Sequence, residues 1–189
     1  KTLEAWIVLD DLKQRGGGVM TINGPGAFDS IVLGERMSKY WISGSNGFAR
    51  TEDFVGSKPE VLTGKPLHLA MTYSDNGKIT LFRNGEEYGT PYEKRLAFFP
   101  AQKTSVFFGL RHPPAREGKY LAVKIKEARL YDRALSGEEV SKSIKGMHVT
   151  LSNDELISAL TENIRKEKSF LEKKIQDKMR AINRAPKVI

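Results

Sequence analysis

Across the first 133 residues, apolar and polar side chains alternate in short runs, and clusters of Gly, Asn and Pro stand between the runs. Successive side chains of a strand point to opposite faces, so alternation of this kind marks a strand with one buried face. Leu3, Ala5, Ile7 and Leu9 alternate with Thr2, Glu4 and Val8, with Trp6 on the second face, and predict a half-buried strand. Further strands are expected at Val19–Ile22, Phe28–Leu33, Tyr40–Ser43, Leu67–Tyr73, Ile79–Arg83, Thr104–Leu110 and Tyr120–Tyr131. Gly16-Gly17-Gly18 is read as the end of a turn, Asn23-Gly24-Pro25-Gly26 as a turn, and Asp75-Asn76-Gly77 and Asn84-Gly85 as hairpin turns. Many short strands with turn signals between them predict an all-β, antiparallel sandwich or barrel.

Past residue 133 the period changes. Ser136-Gly137-Glu138-Glu139 has the spacing of a capping box, which predicts a short helix to about Ile144, stopped by Gly146. Ser152-Asn153-Asp154-Glu155 repeats the signal, and Leu156, Leu160, Ile164, Leu171, Ile175, Met179 and Ile182 follow at helical spacing. A helix of roughly thirty residues would be about 45 Å long. Such a helix would either pack across a sheet and overhang or pair with another helix, including that of a second copy. Glu167 and Lys174 fall where a strict coiled-coil seam wants apolar residues, which disfavours a true coiled coil. The expected division is a sandwich with its closing helix over 1–146 and a helical extension over 147–189.

Composition narrows the function classes. There is no cysteine, so thiol nucleophiles, thiolate metal sites and disulfides are excluded within these residues. No apolar run is long enough to span a bilayer, and Leu3–Leu9 is too short and too polar for a signal peptide. The chain opens directly on a strand-like segment, which suggests a piece of a longer protein. The net charge is +8, compatible with acidic partners. Residues 152–189 hold nine Lys and Arg against six Asp and Glu, so the tail carries +3 and the rest +5. Neither part has a concentrated basic run, which argues against nucleic acid.

Particular segments carry a family resemblance. Thr2-Leu3-Glu4-Ala5-Trp6-Ile7, the hairpin from Leu67 to Glu86 and the closing stretch from Ala128 to Val140 resemble laminin-G-like, concanavalin A-like sandwich domains over about 1–145. That resemblance implies a jelly-roll sandwich. A narrower likeness rests on Gly34-Glu35-Arg36, Trp41, Gly44-Ser45, Arg50-Thr51 and Phe108-Gly109-Leu110-Arg111-His112. These resemble the laminin-G-like segment of multidomain surface proteins of planctomycete-type bacteria, which carry cytochrome-c-like domains elsewhere. It implies a secreted, periplasmic or cell-surface protein, with haem outside these residues. The family's first strand would stand upstream of Thr2.

Related sandwiches bind sugars, bind proteins or cleave glucans, so chemistry must decide. Cleavage needs two carboxylates facing one bond, and sandwich glucanases present them as Glu-x-Asp-x-Glu on one strand face. No such triplet occurs, and the neighbours Glu86-Glu87 and Asp10-Asp11 would point to opposite faces. His68, His112 and His148 form no zinc motif, and no Ser sits in a Gly-x-Ser-x-Gly elbow. His68 is expected as a half-buried strand histidine. The resemblance allows one calcium ion at a loop end, with Asp29, Asp53, Asp75 and Asn76 as oxygen ligands. The candidate binding set is Glu35, Arg36, Trp41, Arg50, Arg111 and His112. An exposed Trp would stack on a sugar face, and Arg with Glu would bond hydroxyls or carboxylates. The alternative is a structural Arg–Glu network with Trp41 in the core. The expectation is a non-catalytic module that binds carbohydrate or protein. The alternative is a spacer whose helix docks to neighbouring domains or forms a homodimer.

Overall fold

A computed structural model describes residues 1–145 and 162–184. The chain divides into two units, Lys1–Gly146 and Met147–Ile189. The first holds ten antiparallel strands: β1 (Thr2–Leu9), β2 (Gly17–Gly24), β3 (Ala27–Leu33), β4 (Trp41–Ser45), β5 (Pro66–Tyr73), β6 (Lys78–Arg83), β7 (Glu86–Glu87), β8 (Tyr92–Glu93), β9 (Ser105–Phe108) and β10 (Val123–Tyr131). One sheet runs β10-β1-β5-β6-β7, with β8 also paired to β6, and the other runs β4-β3-β2-β9. Leu3, Ile7 and Leu69 of the first sheet and Met20, Ile31, Leu33 and Trp41 of the second share one apolar core. Each fully buried aliphatic side chain contributes about 1.5–3 kcal/mol.

The alternation in β1 correctly marks a strand but understates its burial, for all eight residues are buried. The outward residues are covered by the chain's return. Thr2 Oγ1 bonds the backbone at Arg133 and Leu135. Glu4 accepts from the Tyr131 and Ser143 hydroxyls and meets His68 Nε2 at 2.8 Å. The Arg129 guanidinium lies 4.7 Å from the Trp6 ring centroid. His68, expected half-buried, is therefore fully buried.

The covering element is helix α1 (Gly137–Lys145). Its capping box forms as the spacing predicts: Glu139 N donates to Ser136 Oγ at 3.2 Å, and Ser136 N donates to Glu139 Oε2 at 2.8 Å. Val140 and Leu135 pack on Ala70 and Phe82 of the outer sheet face. The hairpin at Asn84-Gly85 also forms as read, with φ of 51° and 85° at the two residues.

In the second unit, helix α2 (Glu162–Arg184) has 23 residues, about 34 Å of rise. Its apolar residues Ile164, Leu171, Ile175 and Met179 are exposed. The second capping box at Ser152–Glu155, the apolar positions Leu156 and Leu160, Gly146 and His148 lie outside the described residues.

Candidate functional site

Gly17 and Gly18, read as the end of a turn, are residues of β2 instead. They are small because residues 110–121 lie flat on that strand. A Cβ on Gly17 would stand 2.2 Å from Tyr120 O, and one on Gly18 would stand 2.7 Å from Arg111 Cα. Thr21 Oγ1 donates to Leu110 O at 2.8 Å and fixes the same segment from below. This close approach carries Arg111 and His112 to the outer face of the four-stranded sheet. There the His112 ring stacks on Phe28 of β3, with centroids 4.4 Å apart and planes 21° apart.

Opposite them, the loop after β4 turns through a 3₁₀ segment, Asn46–Phe48. Phe48 has φ 57°, a left-handed conformation that a bulky side chain rarely adopts. Local bonds hold it there. Ala49 N donates to Asn46 O and Thr51 N donates to Phe48 O. Arg50 N donates to Ser45 Oγ, and Phe28 N donates to Asn46 Oδ1. Phe48 is 41% exposed, and Asn46 NH₂ has no hydrogen-bond partner among the described residues. Between this loop and His112 opens a cleft of about 220 Å³, lined by Phe28, Glu35, Ser45, Asn46, Gly47, Phe48 and His112.

Glu35 and His112 thus come together as the sequence set proposes. Arg111 stands behind them, ion-paired through Nη1 to Glu35. Its Nε is buried without a partner. Arg36 sits beside the cleft, pairing with Asp53 at 3.2 Å, and its guanidinium lies 5.7 Å from the Phe48 ring centroid. Arg50 does not line the cleft. It props the floor, donating through Nη2 to Phe28 O at 2.8 Å and to Asp29 Oδ1 at 2.9 Å. Trp41 lies elsewhere, in the core and 1% exposed, with Nε1 donating to Glu60 Oε2 at 2.9 Å, so its ring has no face for a ligand. The aromatic residues at the cleft are Phe28 and Phe48, which the sequence reading passed over. The strand-terminal Asn46-Gly47 turn signal, followed by an aromatic residue, was the available clue.

Lys119 completes the constellation from beneath. Its side chain is fully buried, and Nζ lies 3.0 Å from Pro114 O and 3.1 Å from His112 Nδ1. Pro113 O also lies 2.8 Å from Nδ1. An ammonium only donates, so its bond to Nδ1 places the ring proton of a neutral His112 on Nε2. The Pro113 carbonyl asks for the reverse, and the charge-assisted bond is the stronger of the two. Burial holds His112 below its ordinary pKa, as do the Lys119, Arg111 and Arg116 charges, against the opposing pull of the Pro113 carbonyl. His112 Nε2 has no hydrogen-bond partner among the described residues and is not buried.

A larger cleft, of about 560 Å³, lies beside β7 and is lined by Ser57, Lys58, Arg83, Glu86, Glu87 and Tyr88 among others. Beneath it the Glu60 side chain is wholly buried and accepts five bonds: from Trp41 Nε1, Arg83 Nε and Nη2, and the Val61 and Leu62 amides. Burial pushes the Glu60 pKa up, but these bonds and the Arg83 charge outweigh it and hold the carboxyl below its ordinary value.

The calcium candidates do not fit an ion. Asp29 is paired with Arg50 and Lys1, and Asp53 with Arg36. Asp75 stands in the β5–β6 turn, where Asn76 Oδ1 accepts from Lys78 N as an ordinary turn residue does. Among the described residues, no group of three or more His, Asp or Glu could hold a metal ion.

Solved structures share this fold. Domain 4 of an extracellular arabinanase from Geobacillus stearothermophilus, in complex with arabinotriose, matches at TM-score 0.53 and 22% identity over 75% of this chain. A candidate carbohydrate-binding protein from Bacteroides ovatus matches at 0.58 and 19% over 75%. A Trypanosoma rangeli sialidase matches at 0.55 and 20% over 77%. This chain covers 64%, 39% and 22% of those three structures. No curated protein sequence matches it. The family model of the concanavalin A-like lectin/glucanases superfamily, of the laminin-G type, matches residues 1–141. Three quarters of the chain thus carries that pattern, and the chain belongs to the concanavalin A-like lectin/glucanase superfamily.

Proposed function

We propose that the first unit is a non-catalytic carbohydrate-binding module of an exported protein, and that its ligand lies in the cleft between Phe48 and His112. The observation that carries this reading is Phe48: an exposed aromatic ring held in a costly backbone conformation at the mouth of a polar cleft. Strain of that kind persists where surrounding structure imposes it, and such places are often functional. The ring offers an apolar face for a sugar's C–H surface. Asn46 NH₂ and His112 Nε2–H supply donors, and Glu35 supplies an acceptor. Glu35 is the cleft's sole acid and is already paired with Arg111, so the cleft lacks the two opposed carboxylates that glycoside hydrolysis requires. The carbohydrate-linked proteins among the structural matches favour the same reading.

A glycan array followed by calorimetry tests it. At least one glycan is expected to bind, and Phe48→Ala and His112→Ala should each weaken it about tenfold or more while leaving the fold intact by circular dichroism. No binding across the array, or binding unchanged in both variants, would overturn the proposal.

The exposed apolar residues of α2 favour a second role for the other unit, as a docking or self-association helix. Light scattering on the full chain and on residues 1–146 separates the cases. A dimer that becomes a monomer supports self-association, and a monomer in both removes it.

A further inference from the structure

Behind His112, which lines the Phe48–His112 cleft, stands a positive charge that no carboxylate among the described residues meets. The Lys119 side chain has little accessible surface because its own exposed loop covers it, and among the described residues its Nζ meets only a carbonyl oxygen and a histidine nitrogen and is paired with no carboxylate. Arg111, whose backbone N donates to Lys119 O across the base of the loop, has a buried Nε with no partner among the described residues. Arg116 adds a third cation that acts on both Lys119 and His112. Glu35, the one acid lining the cleft, is taken up by Arg111. A buried cation is ordinarily paired, because taking a charge out of water is expensive. Here no carboxylate among the described residues meets the Lys119 charge, and His112, which Lys119 bonds, lines the cleft.

Building on the carbohydrate reading above, we infer that the cleft selects glycans that carry a carboxylate, and that Lys119 is the residue that sets this preference. The ligand's carboxylate accepts from His112 Nε2–H. Lys119 acts through the ring: its bond to Nδ1 fixes the proton on Nε2, and its charge favours an anion at that end of the cleft. The pyranose ring lies against Phe48, with hydroxyls reaching Asn46 and Glu35. Lys119 is thus a positioning residue that does not touch the sugar.

The test pairs each of several uronate oligosaccharides with its methyl ester, which keeps the sugar and removes the charge, and measures both by calorimetry on the full chain. The expected result is at least one acid binding about tenfold more tightly than its ester. Added salt should weaken the acid and leave the ester unchanged. Lys119→Met should bind acid and ester alike. The salt series on the parent protein carries the test should the variant misfold. Esters that bind as well as acids, or neutral glycans alone binding on the array, would overturn the acidic preference and leave the carbohydrate module standing. No glycan of either kind binding would overturn the module itself. A preference for acids that survives Lys119→Met would remove Lys119 as its source.

Discussion

The two clefts treat buried charge in opposite ways. Below the larger one, Glu60 accepts five hydrogen bonds, and its charge is met by Arg83. Below the smaller one, Lys119 has its hydrogen bonds but no opposite charge among the described residues. A carboxylate whose bonds are all made inside the protein has nothing left for a ligand and works as a staple. It joins the core indole of Trp41, the segment at residues 60–62 and the end of β6. A cation without an anion beneath an opening keeps part of its interaction for whatever binds there.

Removing each charge should separate them. Glu60→Gln leaves a buried Trp41 Nε1 and the Arg83 guanidinium without their charged acceptor, and is expected to cost about 3 kcal/mol, read as a lower urea midpoint. The same carboxyl makes stability depend on acid. Its pKa is lowered on folding, so its contribution is complete above the ordinary value of 4.5 and is lost as pH falls through its folded value. Glu60→Gln should flatten that part of the stability profile. An unchanged midpoint and an unchanged acid limb would mean that Glu60 is no staple.

Phe48→Gly should move stability the other way. It relieves a left-handed backbone at a bulky residue, and a gain of about 0.5–1 kcal/mol is expected. Glycan binding should fall in the same variant, the trade expected where strain serves a ligand. Thermal unfolding beside calorimetry reads both, and a stability loss would show that the ring is a packing residue. Lys119→Met should have the smallest effect on folding, within about 1 kcal/mol of zero, because an unmatched buried charge is replaced by an apolar side chain of similar length. A large loss in urea would show that Lys119 is matched by a partner and would cancel the contrast with Glu60.

The scaffold was more legible in the sequence than the cleft. Alternation and turn residues act locally, so β5, β6, their two hairpin turns and the capping box of α1 could be read from neighbours alone. The burial of Glu4 and His68 could not, because what covers them arrives from Tyr131 and Ser143, far along the chain. Gly17 and Gly18 misled for a related reason. Their smallness serves the close passage of Arg111 and Tyr120 and not a turn. Trp41 is the aromatic residue of the candidate binding set, yet its face of β4 points into the core, as the alternative reading has it, whereas Phe48 gains its exposure from a left-handed loop that no local period announces. Lys119 carried no sequence signal, since only the folded loop shows a lysine without an acid.

Chemical-shift mapping with a glycan that binds on the array tests the central claim most directly, because both clefts are observed in one titration. Shifts at Asn46, Gly47, Phe48 and His112, with Ser57, Arg83 and Tyr88 unmoved, are the predicted result. Shifts confined to Ser57, Arg83 and Tyr88, or a titration that moves neither group, would contradict the account.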